Sequence, residues 1–179
     1  MKKRFTTRQL TLDAMLAAMC MVLASFAVQL GGNFKLTFES LPIHIGALMF
    51  GPIDGIMIGG IGTFLYQLLF SGYGITATTL LWILPYVVCG AMVGAYSKRR
   101  SFDISRREMI FLMLSSELVI TLLNTLALFV DSKLYGYYSP IFVFGTLGAR
   151  LLLVLGKGIV YGTIMPELIK PLKTLRRTA

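Results

Sequence analysis

The chain has 179 residues, 56% of them hydrophobic and 14% charged, with a mean hydropathy of +0.76. A soluble domain of this length needs far more polar surface, so the composition predicts a membrane protein. The formal net charge of +9 would suit nucleic acid, but its distribution argues otherwise.

Thirteen of the 17 basic residues fall in three segments. Lys2, Lys3, Arg4 and Arg8 precede the first apolar run. Lys98, Arg99, Arg100, Arg106 and Arg107 lie mid-chain, and Lys170, Lys173, Arg176 and Arg177 come at the end. A six-span chain puts all three segments on one side, leaving only Lys35 and Lys133 on the other. This positive-inside pattern predicts a multi-pass cell-membrane protein with both termini cytoplasmic, and the lipid bilayer rather than nucleic acid as the partner of its charge. The length accommodates about six spans of ~20 residues as a single domain, 1–179. Cys20 and Cys89 lie in apolar runs without further metal ligands and read as small buried hydrophobes.

Span one is expected from about Leu10 to Leu30, uncleaved although Ser25-Phe26-Ala27 resembles a signal-peptide site. Thr11 and Asp13 are its candidate capping residues, and Gly31-Gly32-Asn33 should end it. Ala14 and Ala18, four apart, offer a small-residue face for another helix, within the chain or outside it. A strand-like flap follows, with Phe34, Leu36 and Phe38 alternating with Lys35, Thr37 and Glu39. Span two starts at Pro42 and stops near Phe50, too short to cross alone. Gly51 to Gly55 is the expected cytoplasmic turn. Span three, about Gly55 to Phe70, carries Gly55-x-x-x-Gly59 and Gly62 as a close-packing face.

Ser71 to Gly74 forms a short outer turn, and span four runs from about Thr76 to Tyr96, interrupted by Pro85. The loop Ser97–Arg107 is cytoplasmic. Span five is expected over Met109–Val130, and an outer loop over Asp131–Pro140 bears Tyr135, Tyr137 and Tyr138. Span six covers about Ile141–Ile164, with Pro166 near its end. No internal repeat is visible.

Ionisable residues inside spans are costly in lipid and are functional candidates. Counting residues at 1.5 Å each places Glu117 and Lys157 at similar depths and predicts an ion pair, structural or proton-relaying. Arg150 has no acidic residue at its level and suits an anion or a planar polar ring. Asn124, Gln67 and Trp82 also lie in the outer half, so an arginine, two amides and a tryptophan can converge there. The alternative is that Arg150 bonds loop carbonyls and closes the fold. His44, the only histidine, is a hydrogen-bonding core residue or a ligand contact, and cannot belong to a two-histidine metal site. Glu39 on the flap reads as a solvated charge or a contact. No phosphate-binding loop, nucleophile–base set or hydrolytic carboxylate pair is present, so no enzyme, catalytic residue, metal or cofactor is expected.

The run Phe38-Glu39-Ser40-Leu41-Pro42-Ile43, the segment Leu48-Met49-Phe50-Gly51-Pro52 and the glycines from Gly55 to Gly62 resemble the membrane-embedded S components of energy-coupling factor (ECF) transporters. The stretch Gly74 to Pro85, GITATTLLWILP, is most similar to the folate branch. The resemblance spans nearly the whole chain. It implies an all-α, six-helix S-component bundle with an outer pocket covered by the flap between helices 1 and 2 and by the loops after spans three and five. It also implies a vitamin ligand, a transmembrane coupling subunit and two ATPase subunits as partners, and delivery by toppling within the bilayer. Ala14 and Ala18 match the family's face for the coupling subunit.

For folate or a related vitamin, Trp82 would stack on the pterin and Gln67 and Asn124 would hydrogen-bond to it. Arg150 would meet its polar edge or a carboxylate, while Phe34, Leu36 and Phe38 exclude water. His44 and Glu39 complete the candidate ligand contacts. The alternative ligand is a pyridoxine- or hydroxymethylpyrimidine-type molecule in the same architecture. A small intramembrane enzyme or a structural bundle is the reading from a different class.

Overall fold

The computed structural model describes residues 6–31, 34–72 and 74–177, with only the backbone of 29–31, 34 and 173–177. Lys2, Lys3, Arg4, Gly32, Asn33 and Tyr73, and the side chains of Phe34, Lys173, Arg176 and Arg177, lie outside that description. In chain order the elements are α1 (Thr7–Ser25), β1 (Val28–Gly31), β2 (Phe34–Leu36), α2 (Ser40–Phe50), α3 (Pro52–Leu69), α4 (Thr79–Arg99), α5 (Arg106–Leu134), α6 (Pro140–Phe144) and α7 (Leu147–Arg177).

Among the described residues, five helical stretches are long and apolar enough to cross a bilayer: α1, α3, α4, α5 and the run Pro140–Leu172. The short apolar α2 is the sixth member. Large apolar side chains stand exposed on the long helices, among them Met15, Leu80, Phe111 and Leu152. That perimeter suits lipid. The chain is an all-α membrane protein with one small hairpin.

α1 begins earlier than its candidate caps. Thr6 is the N-cap, its hydroxyl accepting from the Gln9 amide at 3.2 Å. Thr11 instead donates to the Thr7 carbonyl at 3.0 Å, and Asp13 is buried. The helix also ends at Ser25, before the expected Gly31. Val28–Gly31 pairs antiparallel with Phe34–Leu36, Val28 opposite Leu36 and Gln29 opposite Lys35. A short apolar run fits helix or strand equally by period, and the partner strand that satisfies its backbone decides the outcome.

The turn expected over Gly51–Gly55 shrinks to a single residue. Gly51 takes φ 109°, a conformation that L side chains rarely adopt, and α3 starts at once with Pro52 in its first turn. The expected glycine face of α3 packs backbone to backbone. A Cβ on Gly55 would lie 2.6 Å from the Gly90 carbonyl oxygen of α4, and one on Gly59 would lie 2.7 Å from that of Tyr86. Gly62 turns to α1, where a Cβ would lie 2.8 Å from the Ala17 carbonyl oxygen.

α4 starts at Thr79, three residues later than expected, and continues through Pro85 to Arg99. α5 opens on a capping box between Ser105 and Glu108 and runs four residues beyond the expected Val130. Asp131 is therefore helical. The sixth span differs most. It is broken at Gly145–Thr146 into α6 and α7, and α7 continues past Pro166 and Pro171 to Arg177. A proline near the apparent end of an apolar run is not a stop signal in a long membrane helix.

α2 packs on α1, α3, α4 and α7, and the other main contacts are α3 on α4, α1 on α3, α4 on α5 and α5 on α7. Ile43, Ala47, Ile58, Cys89, Val93 and Met113 form the buried centre. The long helices alternate in direction, so the bundle has two ends. The hairpin strands, residues 70–72 and 74–78, and residues 135–139 share one; Gly51 and the loop 100–105 share the other, where Ser97 donates to the Leu48 carbonyl at 2.9 Å.

Candidate functional site

With 11 residues, α2 rises only about 16 Å, half of a ~30 Å hydrocarbon core. It reaches from Gly51 to the middle of the bundle. Beyond Ser40, on the hairpin side, the chain is no longer helical. Residues 37–39 lead down to it from β2, and several buried polar groups gather around that junction.

Glu39 is 6% exposed. Its carboxylate accepts from the Tyr86 hydroxyl of α4 and from Thr37 Oγ1 at 3.0 Å. The solvated-charge reading of Glu39 is thereby corrected: a carboxylate can be buried when donors reach it, and Tyr86 reaches it from 47 residues along the chain. Phe38 instead stands 43% exposed, so the flap's apolar-in alternation reverses at its last two residues.

Ser40, the next residue, donates to Glu117 Oε1 at 2.6 Å. Glu117 Oε2 lies 2.7 Å from Lys157 Nζ, so the expected ion pair between α5 and α7 forms, with both partners largely buried. Lys157 also sits 5.6 Å from the centre of the Tyr161 ring. A buried pair of this kind holds only when hydrogen bonds satisfy its remaining lone pairs, the task Ser40 performs here.

His44 lies one turn further along α2 and is fully buried. Its Nε2 is 2.9 Å from Ser116 Oγ and 3.4 Å from Cys89 Sγ, and its ring meets Tyr161 edge-on at 5.6 Å. These contacts tie α2 to α4, α5 and α7. Cys89, read as an inert small hydrophobe, is buried as expected but is also a polar neighbour of the imidazole.

Above the junction, toward the hairpin end, stand Asn124, Arg150 and Trp82, each half-buried. Asn124 Nδ2 is 3.5 Å from the Tyr86 hydroxyl, which links it to Glu39. Arg150 Nη1 is 3.5 Å from Thr125 Oγ1, beside Asn124 on α5. Because the sixth span breaks at Gly145–Thr146, Arg150 occupies the first turn of α7, with its amide bonded to the Thr146 carbonyl at 3.0 Å. It is not nine residues into an unbroken helix. Trp82 Nε1 is 3.5 Å from Asp131 Oδ1, and that carboxylate also accepts from Thr78 and Tyr137.

Gln67 is half-buried on α3. Among the described residues no hydrogen bond joins its side chain to the others; its carbonyl accepts from Ser71 Oγ at 2.5 Å. The hairpin leans on this part of α3 through Lys35, whose Nζ is 5.8 Å from the Tyr66 ring centre. The structure thus gathers Glu39, Asn124, Arg150 and Trp82 at one end between α4, α5 and α7, sends His44 into the core, and leaves Gln67 to the side.

Asp131, Ser40, Tyr86 and Thr78 were missed by the sequence reading. Asp131, Ser40 and Thr78 sit at the edges of apolar runs and Tyr86 lies inside one, and their polar atoms are the only signal they give. Among the described residues no cluster of three or more His, Cys, Asp or Glu could hold a metal ion. A groove of about 310 Å³ between α5 and α7 and another of about 500 Å³ between α4 and α5 are lined by none of these residues. On α1, Ala14 and Ala18 face outward beside exposed Met15 and Met19, while Ala17 is buried.

Among solved structures, the chain is similar to the S-component for biotin from an ECF-type ABC transporter. The TM-score is 0.69 at 15% identity, over 93% of this chain and 95% of that one. It is similar in the same degree to FolT bound with folic acid, with a TM-score of 0.68 at 20% identity, over 94% of this chain and 98% of that one. At such identities the likeness shows the fold and leaves the ligand open. No curated protein matches by sequence. The family model for the substrate-specific component of ECF transporters matches residues 8–170. With a fold of six helices and a flap to agree with it, the chain belongs to the ECF transporter substrate-specific components, which are transport subunits and not enzymes.

Proposed function

We propose that this substrate-specific component binds a vitamin of the folate type at its hairpin end and delivers it with an ECF module. The observation that carries the reading is the half-length α2, above which an arginine, an amide, a tryptophan and a buried carboxylate are brought to one place.

Folate is a flat pterin joined to an aromatic ring and a glutamate. Trp82 offers a face for the pterin. Asn124 and the Glu39–Tyr86 pair offer donors and acceptors to its edge. Arg150, permanently charged and bidentate, takes a ligand carboxylate. Gln67 flanks the site from α3, and the hairpin with Phe38 covers it from water. His44 supports the floor of the site through Ser116 and Tyr161 rather than touching the ligand.

In this reading residues 1–179 act as one binding domain with both termini cytoplasmic. The outward Ala14–Ala18 face docks on a transmembrane coupling subunit, and two ATPase subunits drive a toppling that carries the site across the bilayer. The exposure of both alanines supports that docking.

The test is ligand identity. Protein purified from cells in rich medium is denatured, the released small molecule is identified by mass spectrometry, and folate is then titrated onto emptied protein. Folate or a reduced folate is expected, with binding abolished by Arg150→Ala and Trp82→Ala in variants that stay folded. Another vitamin would keep the transport role and remove the pterin argument, and no folate binding to the parent would sink the folate reading.

A further inference from the structure

Asp131 lies in the last turn of α5, half-buried, and its carboxylate accepts hydrogen bonds from three side chains in two segments, the start of α4 and the loop after α5. Oδ1 takes the Thr78 hydroxyl and the Trp82 indole Nε1, the latter at 3.5 Å; Oδ2 takes the Tyr137 hydroxyl. Thr78 is 1% exposed and its Oγ1 is 3.1 Å from Thr76 Oγ1, while the Thr76 amide donates to Thr79 Oγ1 at 2.8 Å. One carboxylate therefore holds the segment that opens α4, the only tryptophan of the chain, and the connection between α5 and α6.

The chemistry asks for a carboxylate. All three partners are donors, and an ionised aspartate is acceptor-only with two oxygens to share among them. Bonds to a charged acceptor are also stronger than neutral ones, and more so away from water.

We infer that Asp131 is a positioning residue for ligand retention: it fixes the indole plane of Trp82 and ties the segments 76–79 and 135–139 together beside the site. The consequence for binding rests on the proposed reading that Trp82 faces the ligand. Retention, not capture, is what such a tie governs. The two segments must part for a ligand to leave, so breaking the tie acts on the dissociation rate.

The experiment uses the full chain in detergent micelles, where Trp82 is the sole source of tryptophan emission. Acrylamide quenching is read without ligand, and folate association and dissociation rates are read with it. Asp131→Ala is expected to raise the quenching constant about twofold and to speed dissociation about tenfold, with association nearly unchanged. Asp131→Asn, which keeps the shape and one acceptor oxygen, falls between Asp131→Ala and the parent. Tyr137→Phe alters an exposed side chain, so the fold survives; it speeds dissociation by a smaller factor and leaves quenching as in the parent.

Parent-like quenching and dissociation in monodisperse Asp131→Ala would overturn the inference. Should that variant not fold, unchanged dissociation in both Asp131→Asn and Tyr137→Phe does so instead. A parent that binds no folate defeats only the folate reading: the quenching comparison still tests the tie, and the rates are then taken with the molecule that mass spectrometry identifies.

Discussion

The two ends of the bundle hold their polar groups in opposite ways. At the hairpin end and around the start of α2 the bonds join distant parts of the chain. Glu39 meets Tyr86 across 47 residues, Ser40 meets Glu117 across 77, and Thr78 meets Asp131 across 53. At the other end most are local: Ser105 with Glu108 three residues on, Lys170 with Glu167, Arg100 with Glu108. The buried Gln9–Asp54 bond and the Ser97–Leu48 bond, across 45 and 49 residues, are exceptions there. Local bonds finish individual helices and say nothing about how helices sit together. Long-range bonds fix relative placement, and they crowd the end where the proposed ligand enters. The lesson is that polar side chains build much of the geometry of one end and mostly trim the other.

That contrast can be broken most severely at the buried ion pair. Lys157→Met strands Glu117 without its charge partner and is expected to cost about 3–5 kcal/mol, read as a loss in unfolding free energy in detergent. Replacing both partners with apolar residues of similar volume should recover most of it; a double variant as unstable as the single one would place the defect in packing instead. Next comes Tyr86→Phe, which removes the α4 donor to buried Glu39 and is expected to cost about 1–3 kcal/mol and to weaken ligand binding. At the local end, Ser105→Ala deletes the cap of α5 and should cost about 1 kcal/mol with ligand affinity untouched. The smallest effect belongs to Arg100→Ala, whose exposed partner pairing is screened by solvent; its unfolding midpoint should match the parent within scatter. Reversal of this order would remove the distinction between the ends.

Much of the architecture was legible because lipid imposes simple rules. Hydropathy marks the spans, the Gly51-Pro52 step marks the break, and depth counted along two helices pairs Glu117 with Lys157, as the structure does. The misses share a cause: each was decided by a partner far away in the sequence. Val28–Gly31 is strand rather than helix because Phe34–Leu36 folds back on it. Glu39 is buried because Tyr86 meets it. Asp131 belongs to α5 rather than to a loop, and its three donors come from α4, the residue before α4 and the loop beyond. Of the candidate contacts, Arg150, Trp82 and Asn124, chosen by residue type and depth, stand half-buried toward the hairpin end, and His44 is buried in the core. The sixth span's break at Gly145–Thr146 carried no proline, and the two prolines that follow did not stop α7.

The single-residue joint between α2 and α3 has a consequence for how the chain is made. Eleven apolar residues are too few to be integrated into a bilayer by themselves, and Gly51 leaves no slack for α2 to wait outside while α3 is threaded. The two must therefore enter the membrane as one doubled-back unit. The Leu48 carbonyl, in the last turn of α2, receives the Ser97 hydroxyl only after 49 more residues have been synthesised. Until α4 arrives, that polar group lies in a half-built bundle, and a ribosome stalled before Ser97 would hold a nascent chain whose shortest helix is not yet anchored.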